Sequence, residues 1–229
     1  VLEPGPANPS TAALEADSSS LVADGISTSN VTVTVMDANG NPVTGANVAF
    51  DPPTLGALGT ITDQGDGTYT AAFTAGTIIG TAVITGKLNG TTIADSAIIV
   101  LGPGTADPNT ATIAADSSSL IADGASTSLV TVTVTDANGN PVTGANVAFD
   151  PPTLGALGGV TDQGDGTYSA TFTAGVVMGT AVIKGTLDGA AIAESAIIVL
   201  EPGTADPNTA TIAADSSSLI ADGASTSLV

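Results

Sequence analysis

The 229 residues carry 22 acidic side chains against two cations, Lys87 and Lys184, giving a net charge of −20 with 42% hydrophobic and only 3% aromatic residues. A surface so uniformly negative repels phosphate backbones and anionic headgroups, so nucleic acid and bare membranes are poor partners. Histidine and cysteine are absent, which removes Ser-His-Asp catalysis, thiol chemistry and disulfides, and no apolar run approaches the roughly 20 residues that span a bilayer, so no direct membrane insertion is expected of this segment.

The chain opens on Val1 and, with no signal peptide expected in it, reads as an internal piece of a longer protein; residues 1–5 return as residues 199–203. Residues 1–10 therefore read as the end of a preceding repeat plus a proline-rich linker, entered in mid-strand. Residues 11–16 and 21–22 read as a first strand broken by the serine run at 18–20. The dominant stretch follows at 31–50, VTVTVMDANGNPVTGANVAF. Val31, Val33 and Val35 alternate with Thr32, Thr34 and Met36, a period of two that places the valines on one strand face. Asn39-Gly40 tolerates the positive φ of a tight turn, and Ala46, Val48 and Phe50 resume the alternation, so the stretch predicts a β-hairpin. Further on, residues 55–59 are too glycine-rich for more than a short edge strand. Gly65-Asp66-Gly67 turns the chain into a strand with Tyr69, Ala71 and Phe73 on one face. Ala82 and Ile84 form an inward pair, Asn89-Gly90 makes a second hairpin turn, and residues 92–101 close the unit.

Asp17, Asp116 and Asp215 each begin the string Asp-Ser-Ser-Ser-Leu, and successive copies lie 99 residues apart (116 − 17 and 215 − 116). With no insertion or deletion, each period is one unit of about 100 residues, the size of an immunoglobulin-like sandwich. The expected fold is all-β: tandem immunoglobulin-like antiparallel β-sandwiches of about seven strands each, end to end. The divisions are 1–10 as above, a repeat at 11–101, a linker at 102–109, a repeat at 110–200, a linker at 201–209, and the first strand of an incomplete third repeat at 210–229. One strand of seven cannot offset its backbone entropy, roughly 1–2 kcal/mol per residue, so an ordered third segment needs a partner.

Residues 23–27, the stretch 31–50, the string Gly65-Asp66-Gly67-Thr68-Tyr69 and residues 80–84 together resemble the group 1 bacterial immunoglobulin-like repeat of invasin- and intimin-type surface adhesins. The resemblance runs through both full units. It implies tandem rod-like arrays outside a prokaryotic cell, at the surface or in an extracellular filament, which hold an adhesive tip away from an outer-membrane anchor.

No convergent acid, base and stabiliser can be named, so the chain reads as non-enzymatic and requires no cofactor. Nearly all acids sit in turns beside Gly, Asn or Pro, where carboxylates ordinarily bond local backbone. Asp37-Ala-Asn39-Gly-Asn41 resembles the start of a calcium loop but lacks the later acidic ligand, and the turn reading is preferred. The candidate calcium ligands lie between repeats: Glu3, Asp107, Asp116, Glu201, Asp206 and Asp215, with Asp17 alongside. Neither lysine recurs in the other repeat, which argues against a repeated Lys-Asn crosslink. Tyr69 and Tyr168 invite a tyrosine-corner reading, though ordinary core packing is favoured.

The two units are identical over 23 residues, 37–59 against 136–158. Sameness along an array favours a role that depends on number. The leading expectation is an extended stalk or fibre whose partners are neighbouring copies of the same repeat. The alternatives are a filament subunit joined by strand exchange, and an adhesin module whose Thr-rich face binds a host or cell-surface protein or glycan.

Overall fold

In a computed structural model, residues 3–221 and 223–228 are described. The first repeat contains β1 (Ala13–Ala16), β2 (Ser20–Val22), β3 (Thr28–Thr34), β4 (Val48–Phe50), β5 (Ala57–Leu58), β6 (Thr62–Asp63), β7 (Thr68–Thr74), β8 (Gly80–Ile84), β9 (Gly86–Leu88), β10 (Thr91–Thr92) and β11 (Ala97–Gly102). The same series recurs in the second repeat, from Thr112–Ala115 to Ala196–Glu201. No helix occurs among the described residues. Residues 1–2, expected to enter in mid-strand, lie outside them.

Each repeat is a two-layer sandwich. One layer runs β1-β3-β7-β5, with β6 also on β7; the other joins β2-β11-β8 to β10-β9-β4. These last two ladders form one continuous layer, because β8 and β9 flank Thr85, whose carbonyl accepts from Asp51 N at 2.9 Å. The period-two pattern dictates the core. Val31, Val33, Val35, Tyr69 and Phe73 face Ala82, Ile84, Leu88, Ile99 and Leu101 across the layers, and the second repeat builds the equivalent cluster. On the same strand, Ile98 and Val100 point out, 54% and 50% exposed.

The break at the serine run is a change of sheet. β1 pairs antiparallel with β3, whereas β2 pairs parallel with β11. Ser18 N donates to Ser29 Oγ at 3.0 Å and Asp17 N to Asn30 O at 2.9 Å, which satisfies the backbone at the crossing. This parallel pair sits at one edge of a sandwich that is otherwise antiparallel, as expected.

The hairpin expected over 31–50 is corrected. Only its tip is a hairpin: Met36 and Pro42 form an isolated bridge and Val43 N donates to Val35 O at 2.9 Å. Beyond Val43 the chain leaves for the opposite layer, where β4 pairs with β9. Alternation fixes which face of a strand is buried, and β3 buries the expected residues while β4 half-buries Val48 and Phe50, but it does not specify the hydrogen-bonding neighbour. The tyrosine marks the crossing. Tyr69 Oη accepts from Ala46 N at 2.7 Å; Tyr168 Oη accepts from Ala145 N at 2.8 Å and donates to Val142 O at 3.3 Å. These rings therefore anchor the inter-sheet crossing as well as packing in the core.

The strand expected in 210–229 is not formed among the described residues, where 203–221 are exposed throughout. In the full repeats this strand rests on β3, and the residues equivalent to Val130–Thr133 begin only at 229. What persists is the base of the pairing: Asp215 N donates to Leu228 O at 3.1 Å and Ser216 N to Ser227 Oγ at 3.2 Å.

Candidate functional site at the repeat junction

The site is built from one short turn, Asp136-Ala-Asn-Gly-Asn140, which follows the second repeat's central strand. Backbone bonds from Asp136 N to Asn140 O (2.9 Å) and from Gly139 N to Asp136 O (3.0 Å) close it. The Asp136 carboxylate sits inside, 1% exposed. Its Oδ1 accepts from Asn138 N at 2.9 Å and Asn140 N at 2.9 Å. Its Oδ2 accepts from Asn140 Nδ2 at 3.0 Å and Gly104 N at 2.8 Å. Burial pushes this carboxyl up, but the Asn140 side chain and the Gly104, Asn140 and Asn138 N–H groups outweigh it and hold the pKa below the ordinary carboxylate value. Asp37, held by the Asn41 side chain and by the Asn41 and Gly5 N–H groups, lies well below the usual range.

The bond from Gly104 matters because of where it lies. The last strand of the first repeat ends at Gly102, and Gly104 is already fastened to the second repeat. Only Pro103 stands between. Asp107 N donates to Thr135 O at 3.0 Å and Ala106 packs on the second core, so residues 104–109, expected as linker, are seated on the second sandwich.

The turn in turn reaches back across the junction. Asn140 Nδ2 donates to Thr77 O at 3.0 Å, Ile79 N donates to Asn140 Oδ1 at 3.3 Å, and Asn138 Nδ2 donates to Ala23 O at 3.2 Å. At a net contribution of about 1 kcal/mol per bond, the three together contribute about 3 kcal/mol. Asn140 is 6% exposed, and its amide uses donor and acceptor together. In the sequence this segment reads as a turn alone, without its second role. The available signal was Asn41 and Asn140 themselves: a tight turn needs Asn-Gly, but not a further asparagine two residues after the first.

The candidate calcium ligands are not brought together. Glu3 is exposed beside the first repeat's turn. Asp107 Oδ1 accepts from Asn109 N and Nδ2, both at 2.9 Å, and Asp206 Oδ1 accepts likewise from Asn208 at 2.8 and 2.9 Å. Asp17 Oδ2 accepts from Asn30 Nδ2 at 3.2 Å, Asp116 and Glu201 are exposed at strand ends, and Asp215 accepts from Leu228 N at 3.0 Å. Among the described residues no three His, Cys, Asp or Glu side chains converge.

Against known proteins, the family described as invasin, domain 3 matches residues 8–104 and 107–203. The chain belongs to the invasin domain 3 family. Over 139 residues, 56% of the chain, this pair of invasin domain 3 repeats is 34% identical to the inverse autotransporter adhesin YeeJ of Escherichia coli K12, spanning 6% of that protein's length. Solved structures agree. InvD of Yersinia pseudotuberculosis superposes with a TM-score of 0.67 at 35% identity, over 89% of this chain and 61% of that one. The E. coli adhesin FdeC gives 0.71 at 27%, over 93% and 70%. Invasin, described as a bacterial integrin-binding protein, gives 0.68 at 29%, over 86% and 41%. The invasin domain 3 repeats described here are accordingly an extracellular, cell-surface segment of the bacterial adhesin kind.

Proposed function

We propose that these repeats are a non-enzymatic spacer, two successive units of an extended adhesin stalk. The observation that carries this reading is the junction, where a single residue, Pro103, separates the end of one sandwich from the first bond to the next. A chain so tightly fastened has little freedom to fold back on itself, and a net charge of −20 opposes collapse. At about 3.3 Å per residue, strands of seven residues and their turns give units roughly 25–35 Å long. Small-angle scattering on arrays of two, four and six repeats tests the reading. The maximum dimension should grow by a constant increment per repeat; growth that flattens with repeat number overturns it.

A second reading, an adhesive face, is favoured by the outward Ile98 and Val100 and their counterparts Ile197 and Val199, between 41% and 55% exposed. Saturable binding of the chain to a host-cell surface protein or one glycan on an array would establish it. The same samples address strand exchange, since light scattering that shows concentration-dependent dimers would favour it over a monomeric spacer.

A further inference from the structure

The joint is unequal in a way that bears on how repeats are ordered. On one side stand side chains, Asn138 and Asn140, from a turn that is identical in both repeats. On the other, every hydrogen-bonding group is backbone: Ala23 O, Thr77 O and Ile79 N. A carbonyl or an N–H is the same whatever side chain its residue carries, so the receiving loop is free to vary. It does: Thr77-Ile78-Ile79 becomes Val176-Val177-Met178 in the second repeat, while the turn does not change by one residue.

Burial tracks occupancy of the joint. Ala23 is fully buried where the second repeat sits on it, and its counterpart Ala122 is half-buried. Ile79 is half-buried, and its counterpart Met178 is 60% exposed. Asn140 is buried, and Asn41, in the same turn, is exposed.

Resting on the stalk reading, we propose that the Asp-Ala-Asn-Gly-Asn turn is a side-chain plug for a backbone-only socket. Any repeat of this kind can then follow any other at one fixed angle, and the end of the second repeat at Ala122, Val176 and Met178 is an open socket for the turn of a further repeat. The occupant is a second copy of the same turn, because the first joint shows that turn seated on equivalent backbone groups.

The cysteine-free chain allows two spin labels to be placed without competition, at Thr62→Cys and Thr161→Cys, exposed equivalent positions in the two repeats. The inter-label distance distribution of the full chain should be a single narrow peak. Asn140→Ala should abolish that peak in favour of a broad distribution, while Asn41→Ala should leave it narrow. Each removes the same bonds to its own turn aspartate, so the difference belongs to the joint. Replacing residues 77–79 by Val-Val-Met should also leave the peak narrow. The proposal is overturned if Asn140→Ala is no broader than Asn41→Ala, or if the loop replacement broadens the peak as much as Asn140→Ala. A distribution already broad in the parent chain would instead sink the stalk reading itself.

Discussion

Asn41 and Asn140 hold the same place in the same five-residue turn, yet one faces water and the other is 6% exposed between two sandwiches. Their partners in the turn, Asp37 and Asp136, are equally buried, each 1% exposed, because each repeat buries its own aspartate. Those carboxylates carry a pH dependence. Their folded pKa values lie below the ordinary 3.8, so the stability they contribute is fully present above that value and is lost as pH falls towards the folded pKa. Thermal melts should therefore be flat from pH 7 to 5 and fall below about pH 4. Asp136→Asn should melt lower than the parent at pH 7, with the gap narrowing as acid protonates the parent; a gap that is constant with pH would refute the role. A third test concerns the anchor at the sheet crossing. Tyr168→Phe leaves Ala145 N without its 2.8 Å acceptor and should cost about 1–2 kcal/mol in urea denaturation, more than core packing alone predicts.

At the scale of elements, the strands were legible because their chemistry is local. Valine alternation located β3, the Asn89-Gly90 pair located the β9–β10 turn, and the glycine-rich 55–59 segment marked the edge strand β5. Partnerships were not legible, since pairing is decided by which layer the chain enters. The break between β1 and β2 and the departure after Val43 are both changes of layer, and only the first left a mark, the serine run. The edge strand supplies a sharp comparison. Gly56 has φ +77, and a Cβ there would collide with Thr74 O and meet Phe73 Cζ at 2.6 Å; Gly90 has φ +83 with nothing within 4 Å. Gly56→Ala should cost several-fold more than Gly90→Ala, which incurs only the left-handed strain of about 1–2 kcal/mol. Chemical denaturation of each variant reads this directly, and equal costs would show that the edge relaxes.

For the whole molecule, the balance of 22 acids against two lysines sets the behaviour. Lys87 pairs with Asp51 at 2.9 Å, but both side chains are partly exposed and the pair contributes little. Self-repulsion should dominate instead, so raising salt from about 0.01 to 0.5 M, which shortens the screening length from roughly 30 Å to a few Å, should raise the melting temperature. Calcium offers a separate test of the inter-repeat carboxylates. With no three of them converging among the described residues, a chelator should leave both melting temperature and maximum dimension unchanged. A rise of several degrees on adding calcium would restore them as ligands.

By itself, the sequence determined the class of fold, the 99-residue period, the buried faces of the strands and the acidity of the surface, because each follows from residues near one another in the chain. The tertiary structure alone decided that β3 and β4 part company, that β2 runs parallel to β11, and that the second repeat's turn is a joint. The physical reason is the same in each case. A hydrogen bond such as that from Asn140 Nδ2 to Thr77 O joins residues 63 apart, and its acceptor is a backbone carbonyl that every amino acid shares, so the chain can mark the donor, a spare asparagine, but not the partner it reaches.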